Sequence, residues 1–160
     1  MASGKQQHEW DTYFCDIAEV VRQKSKDPSS KIGAVLVRDN VVVSTGFNGF
    51  PRGIEEIADQ TRWERPAKYQ YVSHAEANAI LNAGRNGIQT TGTTLYLVGF
   101  GPPTVPCVEC TKTVIQAGVV RVVGRPYIPA REDWKDDLNF ANELLKEAKV
   151  IFTELDLRWA

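Results

Sequence analysis

His74 and Glu76 stand one residue apart in Ser73-His74-Ala75-Glu76, and Cys107 and Cys110 stand two residues apart in Pro106-Cys107-Val108-Glu109-Cys110. One imidazole and two thiolates are the ligand types a zinc ion takes when it keeps a fourth position open. A metal so held lowers the pKa of a bound water from about 15.7 towards ~7. Glu76, standing off the metal, would carry protons. The chain has three cysteines and two histidines, so these two motifs take two of the former and one of the latter.

These residues need rigid elements to hold them. Ser73 can cap a helix starting at His74, and the Ala/Leu/Ile-rich run from Ala75 to Ala83 favours that helix. Pro106 suits the first position of a second helix, and Gly118 suits its end. Cys107 and Cys110, three apart, would share one face of its first turn. Helix N-termini carry partial positive charge, which favours thiolates over thiols. Other readings of the same residues exist. Ser73-x-x-Glu76 is also a capping box, in which Glu76 only ties down a helix end. A lone C-x-x-C also occurs in redox sites and zinc knuckles. The redox reading lacks a thioredoxin-like setting. A four-ligand structural zinc would have to draw on Cys15 or His8, both near the N-terminus.

The chain has 160 residues, which fits one domain with a real core. Hydrophobic residues make up 42% and charged residues 24%, as in a soluble globular protein. A net charge of −1 argues against long nucleic acid as a partner, which normally requires a basic stripe. A small phosphorylated ligand needs only a few local donors. Two cysteines committed to a metal argue for a reducing compartment, and so for the cytoplasm. No signal peptide is expected at the N-terminus, and no apolar run is long enough to cross a bilayer.

Residues 1–8 are expected to be loose. From Glu9 to Lys26, apolar residues at Trp10, Tyr13, Phe14, Ile17, Val20 and Val21 have helical spacing, and Asp27-Pro28 ends the run. Cys15 belongs at the edge of that helix as a small buried or half-buried residue. Ile32–Arg38 and Val41–Thr45 read as a hairpin turning at Asp39-Asn40. Gly46 to Gly53 is a loop rich in glycine, whose backbone can approach a ligand closely. Residues 54–72 read as an insertion with at most a short helix. The helix after His74 should end at Gly84 or Gly87. Thr94–Gly99 and Val119–Val123 are predicted to be parallel strands joined by the Cys107 helix. Active sites in such units lie at the carboxyl ends of the strands. Arg125 to Ala130 is predicted irregular. A helix follows over Asp133–Ala148, with Leu138, Ala141, Leu144, Leu145 and Ala148 inward, then a strand over Lys149–Leu155. The order gives an α/β fold: a three-layer α/β/α domain around a mixed five-stranded sheet.

H-x-E followed by P-C-x-x-C is the signature of zinc-dependent base and nucleotide deaminases. Further stretches make the chain resemble the deoxycytidylate (dCMP) deaminases of the cytidine deaminase superfamily. They are Ser25-Lys26-Asp27-Pro28-Ser29-Ser30 with Ile32-Gly33-Ala34, then Gly46-Phe47-Asn48-Gly49-Phe50-Pro51, Tyr69 to Ile80, and Ile115-Gln116-Ala117-Gly118. The resemblance runs from about Trp10 to about Tyr127. It implies a cytidine-deaminase-like fold, a Zn2+ cofactor on His74, Cys107 and Cys110, and hydrolysis of dCMP to dUMP with release of ammonia. Glu76 would be the catalytic acid and base. Asn48 would bind the nucleotide, and Ala75 would offer its backbone to the base edge. Ser29, Ser30 and Tyr127 would lie near sugar or phosphate. The resemblance also implies a homo-oligomer, a hexamer, with dCTP and dTTP as effectors. Gly46, Phe47, Gly49 and Arg52 form the candidate effector loop.

Two features depart from the family pattern. The loop from Gly99 to Val105 is longer than its short form, and Phe47 replaces a tyrosine. Deamination of another small substrate (a free base, a nucleoside, a modified cytosine nucleotide or another amino-heterocycle) would use the same four residues. Editing of tRNA or DNA would need a basic patch, for which Arg52, Arg62, Arg65 and Lys68 are the candidates. On this chain they read better as a solvated, salt-bridged face. A non-enzymatic zinc-binding module would have no use for Glu76.

Overall fold

The computed structural model describes residues 4–56, 59–99, 105–125 and 132–155. One mixed sheet of five strands has the order β2-β1-β3-β4-β5. β1 (Gly33–Arg38) pairs antiparallel with β2 (Val41–Phe47) on one side and with β3 (Thr94–Val98) on the other. β4 (Arg121–Arg125) runs parallel to β3, and β5 (Ile151–Glu154) runs parallel to β4. The hairpin turns at Asp39 and Asn40, both with positive φ (51° and 58°). Two-residue turns of that hand match the twist of the flanking strands.

Alternation along the central strands sorts the core into two layers. Val35, Val37, Tyr96, Val98 and Val123 pack on one face with Phe14, Cys15 and Ala18 of α1 (Gly4–Arg22). Ala34, Leu36, Leu95, Leu97 and Val122 pack on the other face. There they meet α3 (Ala75–Arg85), α4 (Val108–Gln116) and α5 (Lys135–Glu147) through Ala79, Val114, Leu138 and Leu145. Each buried Leu or Val contributes about 1.5–3 kcal/mol, and every β1 residue from Gly33 to Val37 is buried. The architecture is the expected α/β/α sandwich. Among the described residues no helix is long and apolar enough to cross a membrane.

Several boundaries differ from the sequence reading. Residues 1–8 are not all loose, because α1 begins at Gly4. Gln7 Nε2 donates to Asp11 Oδ1 at 3.0 Å and Thr12 Oγ1 donates to His8 O at 2.9 Å, so side-chain bonds one turn apart extend the helix beyond its apolar stripe. At its other end α1 stops at Arg22, where Gln23, Lys24 and Ser25 bond back three residues instead of four. β4 lies two residues later than the apolar run suggests, because its end residues Arg121 and Arg125 find carboxylates at Asp11 and Asp16 on α1. Ala148 is exposed, since the chain leaves α5 at Glu147 and Lys149 takes a positive φ of 59°. The insertion holds a 3₁₀ turn (Gln60–Trp63) and a single α turn, α2 (Lys68–Tyr71).

Glycine sets how closely the layers approach. A Cβ at Gly33 would collide with the Ala18 carbonyl of α1, and one at Gly46 with Ala75 O and Ala79 N of α3. α3 therefore lies directly on β2, which fixes the height of its N-terminus above the sheet.

Candidate active site

The backbone before α3 is held by an isolated antiparallel β-bridge between Gly49 and Ser73. Gly49 N donates to Ser73 O at 3.1 Å, and Ser73 N donates to Gly49 O at 2.8 Å. His74 then takes the N-cap position in an extended conformation (φ −76°, ψ 155°), and the helix starts at Ala75. The expected cap by Ser73 is not formed: its hydroxyl donates to Asn78 Oδ1 at 2.7 Å. Asn78 Nδ2 in turn donates to Phe47 O at 2.8 Å, tying this corner to the end of β2. The capping-box reading of Glu76 fails with it. Glu76 is 1% exposed, and among the described residues neither of its carboxylate oxygens has a hydrogen-bond partner.

Cys107 likewise occupies the N-cap of α4 (φ −60°, ψ 165°), one residue later than Pro106 suggests, because Pro106 lies before the helix. Thr111 pins this end, donating through N to Cys107 O at 2.8 Å and through Oγ1 to Pro106 O at 3.1 Å. A carboxylate from α5 completes it: Val108 N donates to Asp137 Oδ2 at 3.0 Å. Gly118, with φ 74°, follows the helix end as expected.

These two helix starts face one another. His74 Nδ1 lies 3.4 Å from Cys107 Sγ and 3.5 Å from Cys110 Sγ, and one ligand atom from each of the three residues falls within 4.8 Å of the others. Tetrahedral zinc with bonds of about 2.0–2.3 Å separates its ligand atoms by about 3.5 Å. The donor set and its spacing therefore fit that ion. Cys15, the third cysteine, is buried under the opposite face of the sheet, where burial pushes its thiol up to about 12.

Mutual hydrogen bonds and burial shift the titration of all three side chains. A hydrogen bond from Cys110 and the neighbouring His74 hold the Cys107 thiol down to about 5, and the same bond holds Cys110 up. The bond to Cys107 raises the His74 imidazole to about 9. Metal ligands must shed such protons on binding. Burial pushes the Glu76 carboxyl up to about 7, although the His74 charge offsets this in part. A group near 7 can both take and give a proton at neutral pH.

The other expected site residues fall into two groups. Ser29, Ser30 and Asp27 line a recess of about 250 Å³ with Arg22, Lys31 and Gly99. Asn48, buried behind the turn at Ser29 and Ser30, braces it. Its Oδ1 accepts from Ile32 N at 2.8 Å, while its Nδ2 donates to Asp27 Oδ2 at 2.9 Å and to Ser30 O at 2.8 Å. Its amide is thus engaged by the protein itself. Phe47, Gly49 and Arg52 line a separate cleft of about 540 Å³ with Asn78, Asn82 and Arg85. Gly46 is not part of that cleft, because it lies buried beneath α3. Ala75, the first residue of α3, has an N–H outside the helix's own bonding. Tyr127 and most of the 99–105 loop lie outside the described residues.

The supposed basic face is not a free one. Arg62 pairs with Asp59 at 3.3 Å and stacks over Tyr71, and Arg52 donates to Asn82 Oδ1 at 2.8 Å. Lys68 is buried, with its Nζ 2.6 Å from Asp27 Oδ2. Asp27 and Lys68 brace the turn at Ser29 and Ser30, and Asp137 braces the start of α4, contacts that motif reading does not assign. The Asp-Pro pair after α1 is the one local signal among them.

The model of the cytidine and deoxycytidylate deaminase zinc-binding region matches residues 8–125, most of the chain. The chain belongs to the cytidine and deoxycytidylate deaminase family. Within that family it is 42% identical to the deoxycytidylate deaminase of Pongo abelii over 90% of this chain and 78% of that one. It is 37% identical to the Homo sapiens deoxycytidylate deaminase over 90% and 78%. In fold, this family member is similar to the dCMP deaminase of cyanophage S-TIM5, whose crystal structure is a complex with dCMP and dUMP. The TM-score is 0.71 at 24% identity, over 91% of this chain and 96% of that one.

Proposed function

We propose that this chain is a single deaminase domain that hydrolyses dCMP to dUMP and ammonia, with zinc on His74, Cys107 and Cys110 and with Glu76 as the proton carrier. The observation that carries this reading is the Glu76 carboxyl, wholly buried, without a hydrogen-bond partner among the described residues, and beside three converging zinc-type ligands. A buried carboxyl with nothing to bond costs stability, which points to a partner supplied by substrate and water. The deoxycytidylate deaminases among its relatives support the choice of substrate.

Zinc bound there would supply positive charge and a water of lowered pKa at its open position. The protein groups do the rest. Glu76 takes a proton from the water that adds to C4 and passes it to ring N3. It then takes the remaining hydroxyl proton and passes it to the departing amine, so that water and dCMP become dUMP and ammonia. The Ala75 N–H would meet the base edge, and Ser29 and Ser30 would meet the sugar–phosphate side. Asn48 would shape that side by holding Asp27 and Ser30.

The same reading extends to a homohexamer and to dCTP and dTTP as effectors at the cleft of Phe47, Gly49 and Arg52. The family resemblance and the exposure of Phe47 and Leu81 beside that cleft support it. Thiolate ligands suit a reducing compartment, the cytoplasm. The test is ammonia release from dCMP, CMP, dCTP, deoxycytidine and cytosine. The reading expects the highest kcat/KM on dCMP. A higher value on cytosine or deoxycytidine would replace it with a base or nucleoside deaminase.

A further inference from the structure

Metal-binding histidines are usually aimed by a hydrogen bond on the ring nitrogen that faces away from the metal. Among the described residues His74 has no such bond: its ring contacts are those of Nδ1 with Cys107 Sγ and Cys110 Sγ. The aim of this imidazole therefore falls to its backbone, which sits at the N-cap of α3 with no side-chain cap bond of its own.

Asn78, one turn into α3, grips that corner with three groups. Its N–H donates to His74 O at 2.9 Å. Its Oδ1 accepts from the Ser73 hydroxyl at 2.7 Å. Its Nδ2 donates to Phe47 O at 2.8 Å and to Ser73 O at 3.3 Å. Ser73 also exchanges two backbone bonds with Gly49. Every polar group of the residue before His74 is thus engaged, by Gly49 on one side and by Asn78 on the other. Asparagine ranks well below alanine as a helix former, because its amide competes for backbone groups. In an α3 that carries Ala75, Ala77, Ala79 and Ala83, position 78 instead holds an amide spent wholly on Ser73 and Phe47.

We propose that Asn78 is a positioning residue for the metal centre: by clasping Ser73 to α3 and to the end of β2, it sets where the His74 imidazole stands against Cys107 and Cys110. The inference rests on the proposed zinc ligands. Ser73 is the intermediary, so the two residues act as one unit.

The test uses the full-length chain loaded with zinc, or with cobalt(II) as a visible substitute, and needs no nucleotide. Zinc affinity is measured by competition with a chromogenic chelator. Asn78→Ala should weaken it by about tenfold, the low end for groups that orient a metal ligand. The d–d and thiolate charge-transfer bands of the cobalt(II) protein report ligand geometry, and they should shift from their wild-type positions. Ser73→Ala removes one bond of the clasp and should move both readouts in the same direction by less. The double variant should bind zinc no more weakly than Asn78→Ala alone, as residues of one network do. A purely structural asparagine would leave the zinc affinity and the cobalt spectrum of the folded protein at wild-type values, whatever the melting temperature did. That result overturns the proposal, and so do losses that add in the double variant. If His74→Ala keeps wild-type zinc affinity, the ligand reading falls and takes the proposal with it. If His74→Ala loses the metal while Asn78→Ala does not, Asn78 alone is removed.

Discussion

Asp11 of α1 and Arg121 of β4, 110 positions apart, meet through two parallel hydrogen bonds of 2.8 and 2.7 Å. The Tyr96 hydroxyl donates to the same carboxylate at 2.9 Å. This network binds α1 to the sheet on the face opposite the helices that carry His74, Cys107 and Cys110. Removing one partner of a buried ion pair leaves the other charge uncompensated, at about 3–5 kcal/mol. Asp11→Ala should therefore lower the melting temperature sharply while leaving the metal content of the folded fraction unchanged. A small shift would mean that the pair is solvated.

The same pair has a pH signature. Burial pushes the Asp11 carboxyl up, but the bonds from Arg121, Gln7 and Tyr96 outweigh it and hold its pKa below the usual value. A depressed carboxylate contributes stability that is fully present above its unfolded pKa, about 3.9, and is lost as pH falls through the folded value. The stability gap between wild type and Asp11→Asn should be constant from pH 7 to about pH 4 and should close below that. Denaturant titrations across this range check it, and a gap that widens with acid contradicts the assignment.

Gly46→Ala places a methyl group against Ala75 O and Ala79 N. Both are helix backbone, so α3 must move as a body and carry His74 and Glu76 with it. Overpacking of this kind costs about 1–3 kcal/mol. The expected variant is folded, less stable, and reduced in turnover more than its stability alone would explain. Calorimetry beside steady-state kinetics would show this, and unaltered kinetics would mean that the α3 start is positioned from elsewhere.

Asp137 reaches from α5 to the first N–H of α4, next to Cys107. Outer-shell groups of this kind typically alter metal affinity by 10- to 100-fold. Asp137→Ala should weaken zinc binding by about that factor in competition with a chromogenic chelator, whereas Cys107→Ala should lose the metal outright. Full zinc retention by Cys107→Ala would remove that residue from the ligand set.

The central strands and the grouping of His74, Cys107 and Cys110 were legible in the sequence because each depends on local pattern. Val35 and Leu36 alternate between faces as a two-sided core strand must, and the His/Cys types and spacings suit one ion. Contacts that join distant segments left no such mark. Lys68 reads as surface by its type, and only Asp27 and Ser29, 39 positions away in the latter case, explain its burial. The Ser73 cap failed for a related reason. The S-x-x-E pattern was present, but Gly49 holds Ser73 in a strand pair, so His74 became the cap residue. The early start of α1 came from Gln7 and Thr12 side-chain bonds, which apolar periodicity does not register.

The measurement that bears most directly on the account is turnover of dCMP by Glu76→Gln. Glutamine has nearly the shape of glutamate, and among the described residues the Glu76 carboxyl has no hydrogen-bond partner to lose. The melting temperature and the zinc content should stay close to those of wild type. An amide cannot exchange protons near neutral pH, and general acid–base groups are worth about 10²–10⁴-fold. With one residue serving several transfers, kcat should fall by at least about a thousandfold. A zinc-loaded Glu76→Gln protein that deaminates dCMP at near-normal rate would contradict the account.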